Sequence, residues 1–216
     1  MARTPAENFH YHIQLSALPQ VEAGVARGES VIAPVKLGSS AARTPIERAM
    51  GVFFGNSGTI VNATQSQAVL GLLLERGAVR DLPPRAQARL LWTLSDRATR
   101  QHTHYLAPYL ADVIAQGARL DTADKSGNTA LHLALAKGMA SWGKLLIEHG
   151  ADVHRPNAQG KSPLDLLDDA KLRRWYPSTT PQNIRNELLA SSRQQVLAQL
   201  PEVASTPVGR RPRQRA

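Results

Sequence analysis

The fold of this chain is decided by the stretch DKSGNTALHLA at residues 124–134, because its pattern returns at a fixed distance. The tetrapeptide TALH at 129–132 is answered 33 residues later by SPLD at 162–165. Gly117-Ala118 is answered at the same distance of 33 residues by Gly150-Ala151. A period of this size is the signature of stacked supersecondary units, each too small to bury its own apolar face. Such stacks work mostly as binding surfaces, so the sequence points to a protein that holds another molecule.

One period predicts two short helices. Thr129 has a hydroxyl suited to an N-cap, and Leu131 belongs to the apolar face of the first helix. Gly138 permits the positive φ at which the chain leaves that helix. A second helix follows with apolar residues such as Trp142 at a spacing of three to four, and Gly150 ends it. Neither helix is long enough to be stable alone in water, so both must pack against neighbours.

This pattern resembles the ankyrin repeat, whose usual form begins D-x-x-G-x-T-P-L-H-L-A and ends L-L-x-x-G-A-D-V-N. The match covers Asp124–Val153 and Asn157–Leu166, with Ala130 where Pro is usual and Asp165 where His is usual. The resemblance implies an all-α solenoid of helix-turn-helix units, in which the ankyrin histidine hydrogen-bonds locally and ties neighbouring turns together. It assigns structural roles to Thr129, Leu131, His132, Gly138, Gly150, Ser162, Pro163 and Leu164.

Degraded units extend the stack upstream. Thr44-Pro45-Ile46-Glu47 resembles the start of a first helix and residues 72–78 the end of a second one, so we expect a unit near 44–78. This unit is longer than the period, and we place an insert at 51–67. Another unit is expected near 82–118, with helices at Arg85–Asp96 and about His104–Gln116. The regular units then occupy 124–151 and 157–176, which makes about four units.

The ends of the chain are expected to cap the stack. Helices are predicted at Leu18–Arg27 and at Pro181–Leu200, because a terminal unit has one neighbour and needs a different outer face. We therefore expect a repeat domain over 10–203. Residues 1–9 are expected to be disordered, and residues 204–216 to form a basic, disordered tail.

Composition excludes several classes. The chain of 216 residues has no cysteine, so it has no disulfide framework. No stretch approaches a membrane-spanning helix, and the first residues lack the apolar core of a Sec signal peptide. We expect a cytoplasmic protein, or alternatively one delivered into a host cell without such a peptide. The abundance of Arg and Ala favours a GC-rich bacterial genome.

The positive charge is concentrated at the C-terminal end. Of the formal net charge of +9, residues 171–216 carry most, with nine Lys or Arg against two Glu. Such a segment is either a solubilising tail or a contact for phosphate backbones or an acidic partner. Nucleic acid is the less favoured partner, because no interleaved aromatic residues or nucleic-acid-binding fold accompany the basic residues. The tail residues in question are Arg210, Arg211, Arg213 and Arg215.

No pattern of catalytic residues emerges from the sequence. Asp165, Asp168 and Asp169 fall at i, i+3 and i+4 on a predicted helix, where a solvated face is favoured over an acid–base pair. The pair His10 and His12 has a spacing seen in some metal sites, but no carboxylate or cysteine pattern completes it. We therefore predict no enzyme activity, no metal, no cofactor and no small-molecule substrate.

The resemblance places a protein partner on the hairpin tips and the exposed side of the first helices. The positions that this implies are Ala123, Lys125, Ser126, Asn128, Ala136, Lys137, Pro156, Ala158, Gln159 and Lys161. They include no aromatic anchor, so Trp92, Tyr105, Tyr109, Trp175 and Tyr176 are further candidates wherever they are exposed. The predicted function is a protein–protein interaction module that acts as inhibitor, adaptor or scaffold. The alternatives are a nucleic-acid-associated protein and a bacterial effector aimed at a host.

Overall fold

The structure is a computed structural model that describes residues 3–37, 41–54, 63–97 and 103–199. Within these ranges the chain is helical and forms no strand; Val35 and Arg43 make an isolated antiparallel bridge. The predicted all-α fold is therefore confirmed. The helices are α1 (Pro5–Gln14), α2 (Leu18–Ala26), α3 (Pro45–Phe54), α4 (Ala63–Glu75), α5 (Pro84–Arg97), α6 (Thr103–Ala115), α7 (Ala130–Ala136), α8 (Ala140–Glu148), the 3-10 turn Leu164–Leu166, α9 (Asp169–Trp175) and α10 (Pro181–Gln199).

The helices stand in two rows. The row of first helices holds α1, α3, α5, α7 and the 3-10 turn, and the row of second helices holds α2, α4, α6, α8 and α10. Within each unit the two helices pack on each other, as α1 does on α2, α3 on α4, and α7 on α8. Along the second row, α4 contacts α2 and α6, while α8 contacts α6 and α10. Each helix is thus buried by its neighbours in the stack, which a short helix needs in order to be stable.

A capping box starts the first helix of most units. In it, the N-cap Thr or Ser accepts a hydrogen bond from the backbone N–H three residues on, and the side chain there accepts one in return from the cap. The arrangement links Thr4 to Glu7 and Thr44 to Glu47, and it recurs in the regular units. In the last unit Ser162 N–H donates to Asp165 Oδ2 at 2.8 Å. The members of the four boxes are Thr4/Glu7, Thr44/Glu47, Thr129/His132 and Ser162/Asp165.

The apolar core runs from the first unit to the last. Its largest fully buried side chains include Phe9, Phe53 and Trp142. Trp142 of α8 also donates its indole N–H to the hydroxyl of Ser95 on α5 at 3.0 Å, and both residues are fully buried. A buried Trp needs such a partner because an unpaired indole N–H is costly away from water.

The expected disorder of residues 1–9 is wrong for the part of this segment that the structure describes. The helix α1 begins at Pro5, with Thr4 as its cap, and Phe9 and Ile13 are buried in the core. The predicted leading helix is found as α2, at Leu18–Ala26. It is the second helix of a complete pair and not a lone cap, which adds one helix pair to the expected number.

The predicted insert at 51–67 is also narrower than expected. The helix α3 continues to Phe54 and α4 begins at Ala63, so both ends of the predicted insert are helical. Phe53 and Phe54 are buried, which favours packing onto the stack over a partner-binding tip. Residues 55–62 lie outside the described part of the chain, as does the basic tail 204–216.

The remaining helix predictions fall within one or two residues of the structure. The unit at 82–118 has its helices at Pro84–Arg97 and Thr103–Ala115, and the trailing helix is Pro181–Gln199. Gly138 and Gly150 have φ values of +74° and +103°, as expected for residues that leave a helix in the left-handed region. The first helix of the last unit is reduced to the 3-10 turn Leu164–Leu166.

Candidate protein-binding surface

The predicted tip residues lie where two turns project beside each other, one before α7 and one before the 3-10 turn. Seven of the predicted contact residues are exposed: Lys125, Ser126, Lys137, Pro156, Ala158, Gln159 and Lys161. The other three, Ala123, Asn128 and Ala136, are half-buried.

Each tip is shaped by one side chain that accepts two backbone hydrogen bonds. Asp124 Oδ1 accepts from the N–H groups of Ser126 and Asn128, at 2.8 and 2.9 Å. Asn157, 33 residues later, accepts in the same way from Gln159 and Lys161, both at 3.0 Å. Asp and Asn are the residues that make such turns most readily, because their short side chains reach the backbone two residues on.

The two tips are also tied to each other. The Ala158 N–H donates to the Ser126 carbonyl at 3.1 Å, and the Asn157 amide donates to Asn128 Oδ1 at 2.9 Å. Asn128 thus has a structural role in addition to its predicted place in the surface. The close approach leaves no room for a side chain at Gly127, where a Cβ would lie 2.5 Å from Ala158 N. The tips therefore form one fixed surface from which the exposed side chains project.

His132 takes the predicted structural role. The Thr129 N–H donates to His132 Nδ1 at 3.1 Å, so Nε2 carries the hydrogen and donates to the Lys161 carbonyl at 3.2 Å. The ring is fully buried, and this burial lowers its pKa below the ordinary 6.5. His132 is thus a neutral tie between two units, with both ring nitrogens engaged.

The three aspartates do not share a helix, which corrects the sequence prediction. Asp165 lies in the 3-10 turn and accepts from Ser162, and those hydrogen bonds lower the pKa of its carboxyl. Asp168 is the N-cap of α9 and accepts from Ala170 and Lys171. Asp169 forms an ion pair with Arg185 at 2.6 Å. The 3-10 turn ends at Leu166 because Leu167 is extended. The three aspartates, although spaced i, i+3 and i+4, therefore do not lie on one helix face.

Basic side chains join α3, α5 and α7 of the first row to one another and join α9 to α7. Arg89 of α5 forms an ion pair with Glu47 of α3. Lys137, at the end of α7, pairs with Asp96 of α5 at 3.0 Å. Lys171 of α9 donates to the Ala136 carbonyl at 2.6 Å. All three basic side chains are exposed, and Arg89 and Lys137 are each paired with a carboxylate, so these contacts link neighbouring helices.

The aromatic candidates divide by exposure. Trp92 donates to the Thr122 carbonyl at 3.1 Å, and Tyr109 donates to the Gln67 carbonyl at 3.3 Å, so both have structural partners. Tyr176 is half-buried near Ser141. Trp175 is 38 % exposed, and the Arg174 guanidinium lies 5.5 Å from its ring centroid. Trp175 is therefore the exposed one of these four aromatic candidates; the side chain of Tyr105 lies outside the described set.

A groove separates α3 from α5. These two helices contact each other much less than α5 contacts α7, and the space between them amounts to about 380 Å³. Met50, Phe54 and Leu90 form its apolar lining, and all three are buried. Arg43, Arg89 and Arg97 line its polar parts, and among the described lining residues Glu47 supplies the carboxylate.

None of these groove residues is among the contact positions predicted from the sequence. They fall in the degraded units, where the period gives no register for carrying over contact positions. The signal that was present is the Thr-Pro start: Thr4-Pro5 and Thr44-Pro45 begin helices as Ser162-Pro163 begins the 3-10 turn. Aligning the units on that dipeptide places Glu7 and Glu47 at the position of His132 and would have found the first helix of the stack. The predicted tail residues Arg210, Arg211, Arg213 and Arg215 lie outside the described residues.

Metal-ion sites and membrane-spanning helices are two further features for which the described residues can be compared with known requirements. No group of three or more His, Cys, Asp or Glu side chains is placed to hold a metal ion there. Among the described helices, none combines the length and the apolar character that crossing a membrane requires.

Comparison with known proteins places the repeats in a family. Residues 113–167 match the family model described as ankyrin repeats in many copies. Over 59 residues the chain is 37 % identical to the potassium channel AKT1 of Oryza sativa subsp. indica, which covers 27 % of this chain and 6 % of the channel. Over 59 residues it is 42 % identical to the neurogenic locus Notch protein of Drosophila melanogaster, covering 27 % of this chain and 2 % of that protein. Over 46 residues it is 46 % identical to ankyrin repeat and SOCS box protein 11 of Danio rerio, covering 21 % of this chain and 16 % of that protein. The chain thus matches a small part of each relative.

Proposed function

We propose that this ankyrin-repeat protein binds a protein partner through its hairpin tips and the solvent side of its first-helix row. Ankyrin repeats indicate a protein–protein interaction module, and proteins built from them are typically non-enzymatic. The observation that carries the proposal is the pairing of the two tips: their backbones are fixed by hydrogen bonds while Lys125, Ala158 and Gln159 project into solvent. A surface ordered before binding loses little conformational entropy on binding, which favours affinity.

The partner we propose has an acidic surface. Lys125 and Lys161 are exposed on the two tips and take part in none of the ion pairs among the described residues. Lys171 and Trp175 are exposed together on α9. Complementary charge speeds encounter and selects the partner, while an exposed Trp beside Arg174 supplies the type of residue that dominates binding energy. Binding would act by covering the partner, as an inhibitor does, or by bringing it to another protein, as an adaptor or scaffold does. We propose that this takes place in the cytoplasm.

The test is capture of a partner from native lysate by the tagged full chain, with and without nuclease. The tip variant Lys125→Glu/Lys161→Glu should lose the captured protein, because two attractive contacts become repulsive. The matched control is Arg76→Glu/Arg193→Glu, which makes the same change of charge at exposed positions of the second row. The control variant should retain the protein.

Two results would overturn the proposal. One is a protein that both variants capture equally well, which would place binding away from the tips. The other is captured material that nuclease removes. That result would favour the alternative of a nucleic-acid-associated protein that uses Arg210, Arg211, Arg213 and Arg215, and binding would then fall steeply with salt.

A further inference from the structure

The groove between α3 and α5 has the size of a short peptide segment. The helix α3 has 10 residues, so a groove along it is about 15 Å long at 1.5 Å per residue. An extended chain rises about 3.3 Å per residue, so four or five residues span that length. Gly51 lies half-buried in the wall, and its missing side chain leaves room for the Arg43 guanidinium, whose Nη1 would lie 3.2 Å from a Cβ there.

The charges in this groove are not balanced. Glu47 is engaged twice, by Arg89 and by the backbone N–H of its own N-cap Thr44. Arg97 has Asp96 as its nearest carboxylate, at 3.9 Å, and Asp96 is already paired with Lys137 at 3.0 Å. Among the described residues no carboxylate lies within ion-pair distance of Arg43. Arg43 and Arg97 are therefore available to a ligand.

The surroundings of the groove raise its positive potential further. Arg48, on the same helix as Glu47, is buried and donates to His10 Nδ1 at 3.2 Å and to the Val35 carbonyl at 3.0 Å. Both acceptors are uncharged, so neither of them neutralises the charge of the Arg48 guanidinium. Burial, and then the charge of Arg43, lower the pKa of Arg48.

We propose that the α3–α5 groove binds an extended acidic segment of the protein partner, in which carboxylates alternate with apolar residues. The carboxylates meet Arg43 and Arg97, and the apolar residues between them pack on the exposed Ala41 and Ala42 and on the aliphatic stems of the arginines, since Met50, Phe54 and Leu90 beneath are already buried. Arginine suits this role because its planar fork binds a carboxylate through two parallel hydrogen bonds. The combination of apolar lining and few polar contacts is that of a specific binding site. This inference rests on the proposed function and adds the class of segment that is recognised.

The direct test uses a synthetic probe and the full chain. The probe is the fluorescein-labelled peptide Asp-Leu-Asp-Leu-Asp with blocked ends, and binding is followed by fluorescence anisotropy. The peptides Asn-Leu-Asn-Leu-Asn and Lys-Leu-Lys-Leu-Lys are its controls. We expect the acidic peptide to bind, the neutral and basic peptides not to bind, and added salt to weaken the complex.

Two kinds of variant test the arginines and the shape of the groove. Arg43→Gln/Arg97→Gln should weaken binding by about tenfold, since it removes two solvent-exposed ion pairs with the carboxylates of the peptide. Gly51→Leu changes no formal charge, but its Cβ would lie 3.2 Å from Arg43 Nη1, so the new side chain occupies the groove and shifts the Arg43 guanidinium as well. It should weaken binding as much. The matched controls are Arg76→Gln/Arg193→Gln for charge and Gly71→Leu for the glycine change. Gly71 is a helical glycine on α4 with open space around its Cβ position.

The outcomes are distinct. Unchanged binding in Gly51→Leu, with its melting temperature and helical circular dichroism unchanged, would show that charge alone attracts the peptide and would overturn the groove assignment. No binding of the acidic peptide to the wild-type chain would overturn it as well. The groove can fail while the proposed function stands: a partner captured by the groove variants but lost in Lys125→Glu/Lys161→Glu supports the tips and refutes the groove.

Discussion

The regular half of the stack, residues 124–176, and its irregular half, residues 4–118, hold their units together by different means. In the regular half, adjacent loops bond directly, as Ala158 N–H does to the Ser126 carbonyl, and the side-chain tie from His132 stands at a fixed place in the repeat. In the irregular half, long polar side chains bridge the gap. The Gln116 amide donates to the Leu74 carbonyl at 2.8 Å, and its oxygen accepts from Val79 N–H at 3.1 Å. Ties made by the backbone and ties made by side chains thus build the same two rows of helices.

The difference explains why one half shows a period and the other does not. A tie between two backbones requires Gly, Asp or Asn at fixed places in every unit, and those requirements appear in the sequence as a repeat. A side-chain tie requires only one long polar residue that reaches a carbonyl. Gln87, for example, donates to the Val79 carbonyl at 2.9 Å from a position that no other unit shares. Such a tie leaves no periodic trace.

The largest expected effect lies at the boundary between the halves. Trp142 of the regular half is fully buried against α5 of the irregular half, where it donates to Ser95. Trp142→Ala should lower the free energy of unfolding by about 3–5 kcal/mol, because it opens a large cavity and orphans a buried hydroxyl. Urea denaturation followed by circular dichroism measures the loss.

Trp175→Ala is the control for that measurement. Its side chain is 38 % exposed and lies at the edge of the regular half, so its loss should cost about 1 kcal/mol or less. Equal losses in the two variants would contradict the view that Trp142 couples the halves. Two separate unfolding transitions in Trp142→Ala would show that the halves unfold independently once this contact is removed.

The second effect is a pH dependence that belongs to the irregular half. His10 is buried; its Nε2 donates to the Ala33 carbonyl at 3.1 Å and its Nδ1 accepts from Arg48. Burial, and then the charge of Arg48, lower its pKa from 6.5 to about 4. Because protonation is easier in the unfolded chain, the stability that neutral His10 provides is present above pH 6.5 and is lost as the pH falls towards 4. The loss amounts to about 3 kcal/mol at 1.36 kcal/mol per pKa unit.

Urea denaturation at pH 7 and pH 4.5 measures this dependence in the wild type and in His10→Gln. Glutamine also donates and accepts but does not titrate, so the variant should lose most of the stability difference between the two pH values. His132 of the regular half has a lowered pKa too, from burial first. A variant His132→Gln that removed the dependence, while His10→Gln kept it, would contradict the assignment to the irregular half.

The sequence predicted the two halves to different degrees. Helices α7 and α8, the cap Thr129 and the tie through His132 follow from one well-marked period. The helix α1 was missed because its Thr-Pro start stands alone, with no second-helix ending near Gly28 that matches the period. The last unit was predicted too regular: the register of Ser162-Pro163-Leu164 is right, but the chain becomes extended at Leu167 and the aspartates separate. The groove was not predictable, because it arises from how far α3 and α5 stand apart.

The third prediction concerns the loop contact of the regular half. Gly127 and Gly160 have φ values of +76° and +72°, so alanine strains both backbones equally. Only at Gly127 would the new Cβ meet a neighbour, with Ala158 N at 2.5 Å; at Gly160 nothing lies within 4 Å. Gly127→Ala should therefore cost about 2 kcal/mol more than Gly160→Ala, because the two tips must move apart. Thermal unfolding of both variants measures the difference, and equal costs would refute the contact between the tips.

The smallest effect compares one helical glycine from each half, Gly143 of α8 and Gly71 of α4. A Cβ at Gly143 of α8 would lie 2.4 Å from Leu135 Cδ2, a buried side chain, whereas at Gly71 of α4 nothing lies within 4 Å. Gly71→Ala should stabilise the chain by about 0.5–1 kcal/mol, because alanine restricts the unfolded chain and favours the helix. Gly143→Ala gains the same stabilisation from the alanine but forces Leu135 to repack, which costs about 1–3 kcal/mol. The two substitutions should therefore shift the melting temperature in opposite directions. A rise in both would mean that the glycine at 143 is not required by packing against Leu135.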